Sequence, residues 1–180
     1  MDRSAPHRWT RLTCPIGGLL LVCSEQGLVR IAFLSGPRRV DPDPAWRHDP
    51  PAFVQPIEQM NAWFAGELRR FELPLAHGGT AFQQGVWQAL SMIPFGETLG
   101  YRDLAQRIGR PNASRAVGAA NGANPLPIVV PCHRVVGADG SLTGFAGGVP
   151  AKRWLLEHEA RHAGPTGRRD SRSSDQLPLL

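Results

Sequence analysis

The stretch Ile128-Val129-Val130-Pro131-Cys132-His133-Arg134-Val135 constrains this chain more than any other. Its apolar run reads as a short buried strand, and Pro131, which has no N–H, stops the ladder one residue before the thiol. A sulfur is thereby placed at the rim of a core. An unassisted thiol is mostly protonated at neutral pH, so chemistry at Cys132 requires a neighbouring base or cation. His133 is adjacent, yet successive side chains of an extended backbone point to opposite faces. The two cooperate only if the chain turns tightly at Cys132, with a water between them. An isolated Cys-His pair is more often a buried structural thiol followed by a surface histidine. A metal site is weaker still, because no second cysteine or histidine stands at ligand spacing.

The surrounding text changes the balance. The run Asn124-Pro125-Leu126-Pro127-Ile128-Val129-Val130-Pro131-Cys132-His133-Arg134-Val135-Val136 resembles the active-site signature of the methylated-DNA:protein-cysteine methyltransferases, also called alkylguanine-DNA alkyltransferases. Such chemistry needs a DNA reader, a pocket for a base and a relay behind the thiol.

A reader is visible in the second half of the chain. Thr80 can cap a helix over 81–92 with Phe82, Val86, Trp87 and Leu90 on one face. A helix over 102–108, a break at Gly109-Arg110-Pro111, a cap at Asn112 and a short helix over 113–121 follow, the pattern of a helix-turn-helix. The second helix is built from Ala113, Ser114, Ala116, Gly118, Ala119 and Ala120, with Arg115 as its one large polar residue. It cannot present several long side chains to base edges in a major groove. It can press into a minor groove, or pack tightly on a neighbouring helix with Arg115 in a salt bridge. Residues 81–162 carry eight Arg and Lys against five acids, so much of the net charge of +5 lies with the cysteine, compatible with a polyanionic partner.

Trp9 to Cys14, Leu19 to Ser24 and Leu28 to Phe33 read as strands of an antiparallel meander, joined by turn text. The Pro-rich segment 35–51 is expected to be a mobile loop. A helix is predicted from Phe53 to Gly66, and Arg70 to Leu75 alternates as a further strand. The text Trp63 to Leu68 with Phe71 to Leu75 resembles the amino-terminal domain of the same family. In some relatives that domain holds a structural zinc. Cys14 and Cys23, with His7 and His77 far off in sequence, do not make a zinc spacing. Two positions where such relatives place ligands are Ala5 and Val29 here, so no metal is expected. The fold class predicted is α+β: a small antiparallel sheet-and-helix domain (1–77), then a mostly helical domain with a winged-helix-like helix-turn-helix (78–162). The polar tail, 163–180, is expected to be disordered. No apolar run is long enough to span a bilayer and no signal peptide is visible, which predicts a cytoplasmic protein without a membrane partner.

The resemblance implies the roles. Cys132 takes the alkyl group from the 6-oxygen of guanine in double-stranded DNA and keeps it as a thioether, so the protein is consumed. His133 acts as the base through water, oriented by Glu159. Tyr101 donates to the leaving guanine, Asn124 braces the turn carrying the thiol, and Val135 offers its carbonyl to the base. Phe145, Ala146 and Gly147 line the pocket, with Ala146 standing where many relatives have a serine. Ser114, Ala116 and Gly118 lie in the minor groove, and Arg115 fills the gap left by the flipped nucleotide. No cofactor is implied, and a monomer is expected. Whether 4-O-alkylthymine is also a substrate stays open. A cysteine hydrolase using the same Cys-His-Glu trio is the rival reading; it gives no reason for the small-residue helix.

Overall fold

The computed structural model describes residues 7–164. The expected disorder of the tail concerns residues that lie almost wholly outside that range, as does the Ala5 position.

Three strands, β1 (Arg8–Cys14), β2 (Gly17–Ser24) and β3 (Gly27–Phe33), form the predicted meander, in the order β3-β2-β1. The predicted mobile loop contributes a fourth strand, β4 (Arg47–His48), which pairs parallel to β1 at the sheet edge. The reason lies on the sheet's outer face. Leu20, Val22 and Ala32 point away from the main core and are covered by Trp9, Val29, Leu34, Val40 and Trp46, mostly from this loop and its flanks. With both faces covered, β2 is a continuous apolar run from Leu19 to Cys23. The Val40 N–H donates to Phe33 O at 3.0 Å, and Arg38 reaches Gly122 O, so the loop is pinned at several points.

A short 3-10 turn (Pro50–Phe53) leads into α1 (Val54–Phe64). Gly66, at φ +79°, ends it in the left-handed region; a Cβ there would collide with the His162 ring, so glycine also lets the last helix approach. The predicted strand over 70–75 does not form. Only Leu75 bridges to Leu28, because the backbone pairs with β3 at its start and then leaves the sheet.

Thr80 caps α2 (Ala81–Ser91) with a full capping box: its hydroxyl accepts from Gln83 N, and the Gln83 side chain accepts from Thr80 N. Then come β5 (Leu99–Gly100), α3 (Tyr101–Arg107) and α4 (Ser114–Gly122). Asn112 does not cap α4; Ala113 holds the cap position with no side-chain bond. The strand expected at Ile128–Val130 is absent. Residues 126–130 form a tight turn closed by a Val130 N–H···O Leu126 bond of 2.8 Å, with Ile128 at φ 78°, and Cys132–Arg134 is a single 3-10 turn. Ile128 and Val130 are buried and Val129 half-buried, but through a turn rather than a ladder. Next, β6 (Val135–Val136) pairs parallel with β5, and α5 (Gly148–His162) closes the chain.

One contiguous core runs through the molecule, from Leu21, Phe33 and Trp63 to Leu90, Leu104, Val135 and Leu155. Among the described residues no helix is long and apolar enough to cross a membrane.

Candidate active site and reading helix

The 3-10 turn at Cys132–Arg134 resolves the geometric problem posed by adjacent Cys and His, since three residues per turn no longer send neighbours to opposite faces. Cys132 is 6% exposed and His133 fully buried. The turn is held from below: the Cys132 N–H donates to Val130 O at 2.8 Å and the Arg134 N–H to Pro131 O at 3.0 Å. Asn124 braces the segment before it, donating from Nδ2 to Val130 O at 2.8 Å and accepting from Leu126 N at 3.0 Å.

Behind His133 lies Glu159 of α5, also fully buried, with Oε1 at 2.8 Å from His133 Nε2. Two further donors fix this carboxylate. Arg134 approaches with Nε at 3.0 and 3.1 Å and Nη2 at 2.9 Å, and the Gly96 N–H donates at 3.0 Å. Burial alone would raise the Glu159 carboxyl, but the His133 and Arg134 contacts outweigh it and hold it down at about 2. An ionised Glu159 requires the proton on Nε2 of a neutral His133, which leaves Nδ1 as the bare nitrogen; Nδ1 has no protein partner among the described residues. Burial lowers the His133 pKa further than Glu159 raises it, so the ring is neutral at pH 7. Burial also pushes the Cys132 thiol up to about 11, against smaller opposing effects of the Asn124 amide and the Lys152 ammonium. At neutral pH the resting sulfur is a thiol, with very little thiolate present.

A cavity of about 490 Å³ is walled by Tyr101, Gly118, Asn121, Phe145 and Ala146; Cys132 and His133 do not line it, and it meets them through Asn121, which contacts Cys132 O, and Phe145, whose ring centroid lies 6.4 Å from that of His133. The Tyr101 hydroxyl lies 3.4 Å from Thr143 Oγ1. Gly147 is not in the wall: it packs on the Phe33 ring, which itself meets Phe145 edge-on at 5.3 Å, and a Cβ there would strike that ring. Val135 is buried beneath the wall, and its carbonyl already accepts from Lys152 Nζ at 2.6 Å.

Three residues of this site escape sequence reasoning. Arg134 is nearly buried and also donates to Ile93 O at 2.6 Å. Lys152, fully buried, ties Val135 O to Thr143 O, the latter at 2.9 Å, and so joins β6 to the cavity wall. Asn121 is buried with Nδ2 at 3.5 Å from Cys132 O. One signal was available for Lys152: Lys152, Leu155 and Glu159 share a helical face, and the other two are core residues.

On α4, Val117, Ala120 and Asn121 face inward, and Trp87 Nε1 donates to Ala120 O at 2.9 Å to lock the helix onto α2. Arg115, Ala116 and Ala119 are exposed, with Ser114 and Gly118 half-buried. Arg115 makes no salt bridge among the described residues. Arg102, Arg107 and Arg110 are exposed on the same helix-turn-helix, a cationic surface around the small-residue helix.

Two family models match the chain. "6-O-methylguanine DNA methyltransferase, DNA binding domain" covers residues 81–161, and "6-O-methylguanine DNA methyltransferase, ribonuclease-like domain" covers 7–77. A methylated-DNA–protein-cysteine methyltransferase of Methanosarcina acetivorans is 48% identical over 145 residues, 81% of this chain and 93% of the relative. The protein of that name from Mycobacterium tuberculosis is 49% identical over 150 residues, 83% of this chain and 90% of its own. The crystal structure of Mycobacterium tuberculosis OGT in complex with DNA superposes with a TM-score of 0.81 at 47% identity, covering 86% of this chain and 94% of that one.

Proposed function

The chain belongs to the 6-O-methylguanine DNA methyltransferase family, and we propose that Cys132 is the residue that carries its reaction. That reaction is direct repair of DNA, in which an alkyl group passes from the DNA to a cysteine of the protein. The observation that supports Cys132 is its place beside a neutral histidine whose far nitrogen is fixed by a fully buried, arginine-held carboxylate.

In this reading the 6-O-alkylguanine leaves the stack and enters the 490 Å³ cavity between Tyr101 and Phe145. Cys132 Sγ attacks the alkyl carbon as its proton passes, through water, to His133 Nδ1. A carbon–sulfur bond forms and the carbon–oxygen bond breaks. The departing guanine recovers its lactam form by taking a proton, with Tyr101 as donor. Glu159 stabilises the imidazolium that forms, much as the carboxylate does in a hydrolase triad. A thiol held at about 11 makes this coupled transfer necessary, because little free thiolate is present to react. Ala146 offers no side-chain donor to the guanine oxygen, so a hydrogen bond from that position is a backbone one. The thioether is inert, so each chain reacts once. Every group named lies on one chain, and a monomer bound to duplex DNA is sufficient.

Incubation with duplex DNA containing one 6-O-methylguanine should make the protein one methyl heavier, on the peptide containing Cys132, by intact-mass and peptide analysis. Cys132→Ala should take up none. Methyl transfer to Cys14 or Cys23 instead, or repeated turnover of an ester without an adduct, overturns the assignment.

A further inference from the structure

Tyr101 and Thr143 reach the 490 Å³ cavity from segments tied to the same short strand. β5 pairs with β6 through Leu99↔Val135 and Gly100↔Val136, which places the start of α3 and with it Tyr101. Farther along the chain, the buried Lys152 ammonium binds Val135 O at 2.6 Å and Thr143 O at 2.9 Å, so Thr143 is referred to β6 as well. Both residues line the cavity, and their hydroxyls meet at 3.4 Å. Among the described residues Thr143 is the one group that pairs with the Tyr101 hydroxyl. The separation is longer than an ordinary O–H···O bond, as catalytic contacts often are before substrate enters.

A hydroxyl pair can point either way, and the direction decides what Tyr101 can do. With Thr143 Oγ1 donating to Tyr101 Oη, the phenolic proton is free to point at a base in the cavity. A phenol is also a weak acid, so giving up that proton is costly unless a donor is already aimed at the oxygen left behind. We propose that Thr143 is a positioning residue for the transfer: its hydroxyl turns the Tyr101 proton into the cavity and stabilises the tyrosinate that forms when this proton moves. As the alkyl carbon passes to sulfur, the Tyr101 O–H bond breaks and an N–H bond forms on a ring nitrogen of the departing guanine. The tyrosinate accepts from Thr143 and takes a proton from water once the base withdraws, while the His133 imidazolium returns its own to solvent. The inference rests on Tyr101 being the proton donor and Cys132 the alkyl acceptor. Lys152 holds the Thr143 backbone and not its side chain, so the hydroxyl can be removed without releasing that tie.

The test is single-turnover methyl transfer from duplex DNA containing 6-O-methylguanine, at saturating DNA, with the full chain. Thr143→Val keeps the shape and removes the hydroxyl, and should slow transfer ~3- to 10-fold, the range of one hydrogen bond. Thr143→Ser restores the hydroxyl and should stay within about twofold of the parent. In a Tyr101→Phe background the Thr143→Val change should cost nothing further, because the oxygen it acts on is gone. Alkylation of Cys132 by iodoacetamide, which carries no guanine to protonate, should be equal in parent and Thr143→Val. A parent-like rate in Thr143→Val, a loss that persists undiminished in the Tyr101→Phe background, or an equal loss toward iodoacetamide overturns the proposal. The single variant Tyr101→Phe separates the two levels. A parent-like rate there refutes Tyr101 as the donor and the proposal with it, whereas a slow Tyr101→Phe beside a parent-like Thr143→Val refutes the role of Thr143 alone.

Discussion

At the scale of single residues, the site turns on how a buried carboxylate is kept ionised. Glu159 is legible as a candidate only through resemblance, because a glutamate on a helix is usually solvated; its depth depends on Arg134 and the Gly96 N–H, 25 and 63 residues away. Arg134 itself reads as a surface charge, since nothing local in Cys132-His133-Arg134 indicates that a distant helix supplies its counter-ion. The arrangement has a pH signature. Glu159 sits at about 2 when folded against an ordinary 4.5, so its contribution to stability is complete above pH 4.5 and is lost as pH falls toward 2. His133, lowered below 6.5 by burial, acts in the same sense: below pH 6.5 the unfolded chain takes up a proton that the folded chain refuses. Glu159→Gln leaves Arg134 buried without its partner and should cost about 3–5 kcal/mol at pH 7. In urea titrations at a series of pH values, the gap between parent and variant should close progressively below pH 4.5. A gap that stays constant down to pH 2 would show that the carboxylate's charge is not what the fold uses.

Among the elements, periodicity located the meander, α2 and the helix-turn-helix because each has its own local pattern. It failed where tertiary contacts decide. Ile128-Val129-Val130 has the composition of a strand, but Asn124 brackets residues 126–130 and forces Ile128 to a positive φ, a conformation that costs a β-branched residue about 1–3 kcal/mol. The segment is then aimed so that a 3-10 turn, and not a ladder, presents the thiol. In α4 the composition left groove binding and helix packing equally open; the structure turns small residues outward with Arg115 exposed beside them, which leaves room for close approach to a narrow groove. If Arg115 occupies the space of an extruded nucleotide, its removal matters only when there is a stack to fill. Arg115→Ala should slow repair of 6-O-methylguanine in duplex DNA by about 10-fold or more, an effect of at least ~1.4 kcal/mol, and leave reaction with free 6-O-benzylguanine within about twofold. Equal losses on both substrates would place Arg115 in folding or in the pocket.

For the molecule as a whole, the expected division into domains 1–77 and 78–162 is crossed by packing that couples the two segments strongly. Ile31 N–H donates to Pro125 O at 2.8 Å, joining β3 to the segment that leads into the catalytic turn. Trp63 of α1 is fully buried, its ring 6.0 Å from Phe95 and 4.9 Å from His158, and its carbonyl 2.8 Å from His158 Nε2. The sheet thus supports the cavity wall through Phe33 while α1 supports α5, the helix that carries Glu159 and Lys152. None of this was readable in sequence, because each contact joins residues tens of positions apart whose side chains would suit any core. A shared core of this kind should unfold in one step, with calorimetric and van't Hoff enthalpies equal. Trp63→Ala, which empties space on both sides at once, should lower stability by about 3–5 kcal/mol and move that single transition to lower temperature without dividing it. Two resolved transitions in the unaltered chain would mean that the halves fold separately, and the sheet would then have no hold on the geometry at Cys132.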